Sequence, residues 1–137
     1  MVHARFTIAY WCLLFAAFLP IICAATAKWG MFKVSRKNGG YDNNNPRNWL
    51  DQQTGWRARA NAAQNNTFEA LPFFFAAVIV AHTLSANQTT LDVLCILWVM
   101  LRLGYLVMYV GDMAAMRTAV WVLALVLNVA ILFTGFR

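Results

Sequence analysis

Three groups of polar side chains interrupt otherwise apolar stretches of this sequence, and they are where chemistry is possible. The first is Arg57, Arg59, Asn61, Gln64, Asn65, Asn66 and Glu69, followed by Pro72 and Phe73-Phe74-Phe75. On a helix, at about 100° per residue, Arg59, Asn66 and Glu69 fall within about 80° of one another, while Gln64 projects about 140° from Glu69. The second is Trp98, Arg102, Tyr105 and Tyr109, spaced i, i+4, i+7, i+11 along one helical stripe. The third is Arg117, with Asp112 nearby. A carboxylate, cations, amides and phenols gathered together suit a small zwitterionic or anionic solute. Arg102, in mid-segment, needs an anionic or dipolar partner, for which Glu69 is the protein candidate. Arg117 is either a cation at the mouth of such a site or a membrane-surface anchor. Asn128 is a lone amide suited to hydrogen bonding between helices.

Other chemistries find no support. There is no Ser-His-Asp set, phosphate loop or metal-ligand set, and His3 and His82 have no metal-type neighbours. The three cysteines lie in apolar runs without a Cys-x-x-Cys pair, so neither a disulfide nor a zinc site is expected.

The elements that must carry these residues are membrane helices. Of the 137 residues, 61% are hydrophobic and only 12% charged, against roughly 45–50% and 25% in soluble domains. Mean hydropathy is +0.56. This excludes a disordered chain, a nucleic-acid-binding tail and an ordinary water-soluble enzyme. Four apolar segments, at about 6–27, 60–84, 91–110 and 118–136, each approach the ~20 residues that cross a bilayer core. Backbone polar groups in lipid must be paired within the segment, so all four are expected to be helices of a single domain, 1–137. The first run is long for the apolar region of a signal peptide, and Arg5 is a weak basic flank.

The loops are unequal. Residues 28–59 form a long, polar, turn-rich connection with Gly39-Gly40, Asn43-Asn44-Asn45 and Pro46, and residues 85–90 form a tight hairpin. The formal net charge is +6, and most of the eleven basic residues (Lys28, Lys33, Arg36, Lys37, Arg47, Arg57, Arg59) lie in the long loop. The positive-inside rule then places 28–59 and 111–117 in the cytoplasm, with both termini on the other side. The expectation is a multi-pass integral membrane protein, in the inner membrane if bacterial.

The run Arg59-Ala60-Asn61-Ala62-Ala63-Gln64-Asn65-Asn66-Thr67-Phe68-Glu69-Ala70-Leu71-Pro72-Phe73-Phe74 resembles the second-helix signature of the MAPEG family. These are the membrane-associated proteins of eicosanoid and glutathione metabolism. Arg102-x-x-Tyr105-x-x-x-Tyr109 is similar to the family's third-helix motif, and Tyr41-Asp42-Asn43-Asn44-Asn45-Pro46-Arg47 to the first loop of prokaryotic members. Ala62 stands where eukaryotic members carry an arginine. The resemblance implies an all-α, left-handed four-helix bundle assembled as a homotrimer, with glutathione as co-substrate between neighbouring subunits and no metal. It implies glutathione contacts from Arg59, Gln64, Asn66, Glu69, Tyr105 and Tyr109, and thiolate chemistry at Arg117, Arg102 and Tyr109. The implied activity is a glutathione transferase or peroxidase acting on lipophilic substrates from the bilayer. A non-catalytic scaffold of the same fold, binding a lipid or a thiol, is the alternative.

Overall fold

The structure is a computed structural model that describes residues 6–136; His3 and Arg5 lie outside the described residues. It consists of α1 (Ile8–Lys28), α2 (Pro46–Asp51), α3 (Gly55–Thr83), α4 (Gln88–Val110) and α5 (Ala114–Phe133), with no strand among the described residues. The four long helices are all apolar and long enough to cross a bilayer. α3 and α4 each pack against both α1 and α5.

The helix ends follow from local chemistry. α3 begins at Gly55, ahead of the expected start near residue 60. Its 29 residues extend about 43 Å at 1.5 Å per residue, more than a ~30 Å hydrocarbon layer. The surplus is the polar first turns, where Arg57 and Arg59 have carbonyls to cap. α4 starts at Gln88 because the Asn87 side chain accepts from the Thr90 N–H at 3.0 Å. The α4–α5 turn places Asp112 at φ 61°, a left-handed position that Asp tolerates better than most residues.

Packing is closest where side chains are smallest. Ala9, Ala16 and Ala27 of α1 and Ala60, Ala63, Ala77 and Ala81 of α3 are fully buried, and α1 lies along α3. Short side chains let membrane helices approach and gain dispersion energy where no hydrophobic force acts between them. The centre is filled by Phe74 of α3 stacked on Trp98 of α4, with ring centroids 3.8 Å apart and planes 2° from parallel. Only 17–33% of each helix's most apolar window is buried in the chain. The exposed remainder, such as Phe15, Ile79 and Val126, is surface for lipid or for another helix.

Both ends of α1 are clasped. Thr7 caps its start, and Asp92 of α4 accepts from the Ala9 N–H at 2.8 Å. A carboxylate there opposes the positive end of the helix dipole. At the other end Arg57 donates to the Ala27 and Trp29 carbonyls at 2.8 and 2.9 Å. The 28–59 connection is more organised than its turn-rich composition implies. Pro46 opens α2, which buries Trp49 and Leu50, and the Trp49 indole donates to the Gly39 carbonyl at 3.2 Å. Tyr41 meets Trp49 edge-on, and the Lys28 ammonium lies 4.5 Å from the Tyr41 ring centre. A Cβ at Gly40 would strike the Val34 carbonyl, so only glycine fits that turn.

The α1 clasp predicts a measurable loss in Arg57→Ala. Charge-assisted hydrogen bonds contribute about 1.5–3 kcal/mol when well formed, and partial exposure reduces this. Thermal unfolding in detergent micelles is expected to show a destabilisation of about 1–2 kcal/mol; a midpoint equal to that of the parent protein would mean the clasp is idle.

Candidate functional site

A charged side chain inside hydrocarbon costs about 2.5–3.5 kcal/mol on insertion scales, so the partners of Arg102 decide how the region is built. Arg102 is 3% exposed, in the loop-end half of α4. Its Nη2 donates to Asn66 Oδ1 at 3.1 Å and to Thr67 Oγ1 at 3.0 Å, both on α3. Thr67 can accept because its own proton goes to the Ala63 carbonyl, 2.7 Å away and one turn back. Glu69 is not an ion-pair partner of Arg102, contrary to the sequence expectation. Arg102 reaches α3 at Asn66 and Thr67, nearer the loop end, where an amide and a hydroxyl meet it. Glu69 is itself exposed in mid-helix and has no ion-pair partner among the described residues.

The α4 stripe continues as an alternating ladder. The Arg102 guanidinium carbon lies 4.4 Å from the Tyr105 ring centre, Tyr105 meets Tyr109 edge-on at 5.5 Å, and the Arg117 guanidinium carbon lies 4.3 Å from the Tyr109 ring centre. Each cation sits near an aromatic face, which attracts it electrostatically. The ladder carries Arg117 of α5 onto the same surface as Arg102.

Two adjoining hollows lie among α3, α4 and α5. The outer, about 220 Å³, is lined by Asn66, Tyr105, Tyr109, Arg117, Thr118 and Trp121. The inner, about 130 Å³, includes Asn66, Glu69, Trp98, Arg102, Trp121 and Asn128 in its wall. Asn66 and Trp121 belong to both. Thus Asn66, Glu69, Arg102, Tyr105, Tyr109 and Arg117 are brought together within one chain.

Arg59 and Gln64 are not. Arg59 caps α4, donating from Nε and Nη2 to the Val110 carbonyl at 3.1 and 3.0 Å, and it pairs with Asp112 at 3.8 Å. Asp112 therefore serves Arg59 rather than Arg117. Gln64 lines a separate hollow of about 510 Å³, with Lys28, Arg47 and Asn61. The two polar sides of α3 read from the sequence are real within the chain, and they face different hollows. Sequence reasoning missed Thr67, whose hydroxyl is the second anchor of Arg102; its place beside Asn66 was the available signal. It also left Trp98 as a bare member of the stripe and did not link Asn128 to it.

Chemically, the hollows offer cations, amide and phenol groups and one carboxylate. That set binds a zwitterion through opposite charges and stabilises an anion beside Arg117. The described residues hold no group of three or more His, Cys, Asp or Glu arranged for a metal, and Cys12, Cys23 and Cys95 are free and buried.

Comparison with known proteins gives one family: the model of the MAPEG family matches residues 8–137. No curated protein and no solved structure matches the chain.

A guanidinium held by neutral groups has an energetic signature. Desolvation costs several kcal/mol, and two charge-assisted hydrogen bonds return a similar amount. Arg102→Met is therefore expected to leave the stability of the ligand-free protein within about 1 kcal/mol of the parent in thermal or denaturant unfolding. A loss on the order of 3–5 kcal/mol would indicate a buried ion pair instead.

Proposed function

The chain belongs to the MAPEG family, and from that premise we propose an integral-membrane, glutathione-dependent transferase or peroxidase acting on lipophilic substrates. The observation that carries this reading is the shared hollow of Glu69, Asn66 and Arg102, whose walls Asn66 and Trp121 also belong to the neighbouring hollow that Tyr109 and Arg117 line. A carboxylate and a guanidinium within the apolar part of a bundle are costly unless a polar guest uses them. Glutathione has an ammonium group for Glu69, carboxylates for the cations and a thiol for the outer chamber. Its fit is chemical: each group of the peptide has a complement among these residues.

The chemistry follows from electrostatics. A free thiol with pKa near 8.5 is about 3% ionised at pH 7. A guanidinium a few ångströms away lowers such a pKa by about 1–3 units, raising the thiolate share to about 25–95%. Arg117 is the first choice for that cation and Arg102 the second, with the Tyr109 hydroxyl donating to sulfur. The thiolate sulfur then forms a bond to an electrophilic carbon, and the displaced group or opened oxygen leaves with the electron pair and takes a proton. The substrate enters from the bilayer, which the exposed apolar flanks of α4 and α5 adjoin.

Assembly completes the proposal. An exposed mid-helix carboxylate and a second polar side on the same helix, bearing Gln64, support a homotrimer in which neighbouring chains cover both. In that arrangement Gln64 serves the ligand of an adjacent subunit. The basic 28–59 loop supports a cytoplasmic position for the site and for that loop, with both termini on the other side and, in a bacterium, residence in the inner membrane.

The test is titration of the purified protein with glutathione, followed by ultraviolet thiolate absorbance across pH. The parent protein is expected to give a saturable thiolate signal at pH 7. Arg117→Ala is expected to move its midpoint up by about 1 pH unit or more while binding persists. Binding without any thiolate signal in the parent supports the scaffold alternative, and no binding at all removes glutathione as the ligand.

A further inference from the structure

Among the described residues, three buried side-chain polar atoms make no hydrogen bond: Trp98 Nε1, Arg102 Nε and Asn128 Oδ1. Their residues are 0%, 3% and 3% exposed. An unpartnered buried donor or acceptor costs about 1–3 kcal/mol, and native proteins carry few of them. Here all three belong to residues in the wall of one space, the inner hollow of about 130 Å³. They come from two helices, α4 and α5, so no single backbone irregularity explains them.

The chemistry of the wall specifies the guest. Two orphans are donors, an indole N–H and a guanidinium N–H, and the third is an amide oxygen that accepts. A hydroxyl, which both donates and accepts, is the simplest group with a complement for each of them. Glu69 and Arg102 carry the two opposite charges of this wall, which the zwitterion proposed above answers, so the group that meets the three orphans beside them is neutral. The space is smaller than the roughly 300–1,000 Å³ of sites that enclose a whole small molecule, so it takes a head group or a few waters. Trp121 and Leu125 of α5 also line it, and both are themselves about two-fifths exposed on the apolar side of that helix. An alkyl chain attached to a group seated inside has an apolar path outward over these two side chains.

We propose that Trp98, Arg102 and Asn128 form a binding site for a neutral hydroxylic group, supplied by a hydroxyl- or hydroperoxyl-bearing lipid chain or, without one, by water. The inference deepens the function proposed above by naming the polar group a lipophilic substrate presents. It rests on that reading only for the presence of a thiolate in the adjoining chamber.

The test needs neither glutathione nor turnover, so its failure is separable from failure of the functional reading. The protein is labelled with [15N]tryptophan in lipid nanodiscs, and the six indole N–H resonances are recorded by NMR. Trp98 is assigned by Trp98→Phe or, if that variant does not fold, by elimination using single replacements of the other tryptophans. Without additive, the Trp98 indole is expected to show a cross-peak to water. 1-Dodecanol is expected to displace that cross-peak and shift the resonance saturably, while dodecane does neither. Asn128→Leu is expected to abolish the water cross-peak and weaken the dodecanol response at least about tenfold, the discrimination expected when one hydrogen-bond partner is removed. A water cross-peak that dodecanol leaves unchanged keeps the hydroxylic site and identifies water as its occupant. A Trp98 indole with no water contact and no response to dodecanol overturns the proposal, and so does an equal response to dodecane.

Discussion

A guanidinium placed among hydrocarbon side chains must be met by something polar, and the packing around Arg102 is organised by that requirement. Hydrophobic burial cannot hold it, because its transfer from water is unfavourable by several kcal/mol. The chain meets it with two oxygens from consecutive residues of α3, Asn66 and Thr67, and with the face of Tyr105. Those contacts fix the register of α4 against α3. They also align Tyr105 and Tyr109 with Arg117, so that one polar stripe runs along an otherwise oily bundle. None of the three contacts is ionic, and the Nε–H of Arg102, a residue in the inner hollow's wall, is left without a partner. A salt bridge with Glu69 would have quenched both groups.

The remaining arginines of α3 show what the same side chain does at the edge of the bundle. Arg57 and Arg59 lie two residues apart and diverge to cap two different helices, α1 and α4. Each places positive charge against a helix C-terminus, where the last carbonyls lack intrahelical partners. The polar start of α3 thereby ties three helices together at the end of the bundle. The helix can afterwards run on as an apolar rod through Pro72 to Thr83. Membrane helices carry an internal proline because their neighbours restrain the backbone around it.

Much of the fold was legible in the sequence because lipid imposes one strong rule: apolar runs of sufficient length become helices. The four spans, the tight turn before α4 and the aromatic stripe of α4 all follow from it. The helix starts were less legible. Gly55 and Ala114 begin their helices earlier than the apolar runs do, since backbone pairing sets helix ends and polar first turns bearing Arg57 or Arg117 are invisible to hydropathy. At the site, angular spacing correctly separated Gln64 from Glu69, and it grouped Asn66 with Glu69. It misassigned the partner of Arg102, because a formal charge was weighed above a hydroxyl. Thr67 reads as a weak polar residue in a list, and only the packed geometry reveals that its proton is already committed to Ala63, leaving an oxygen free to accept. Arg59 was grouped with Asn66 and Glu69 by helical angle, but its long side chain turns to the nearest unsatisfied carbonyl.

The whole account depends on polar side chains having been drawn into the bilayer by a polar guest that they enclose. The most direct check is an electron cryomicroscopy map of the protein in lipid nanodiscs with glutathione. The account predicts a three-fold assembly with peptide density against Asn66, Glu69, Arg102 and Tyr109 and sulfur beside Arg117. A map in which Glu69 and the outer chamber face acyl chains, with glutathione absent or bound elsewhere, would contradict it.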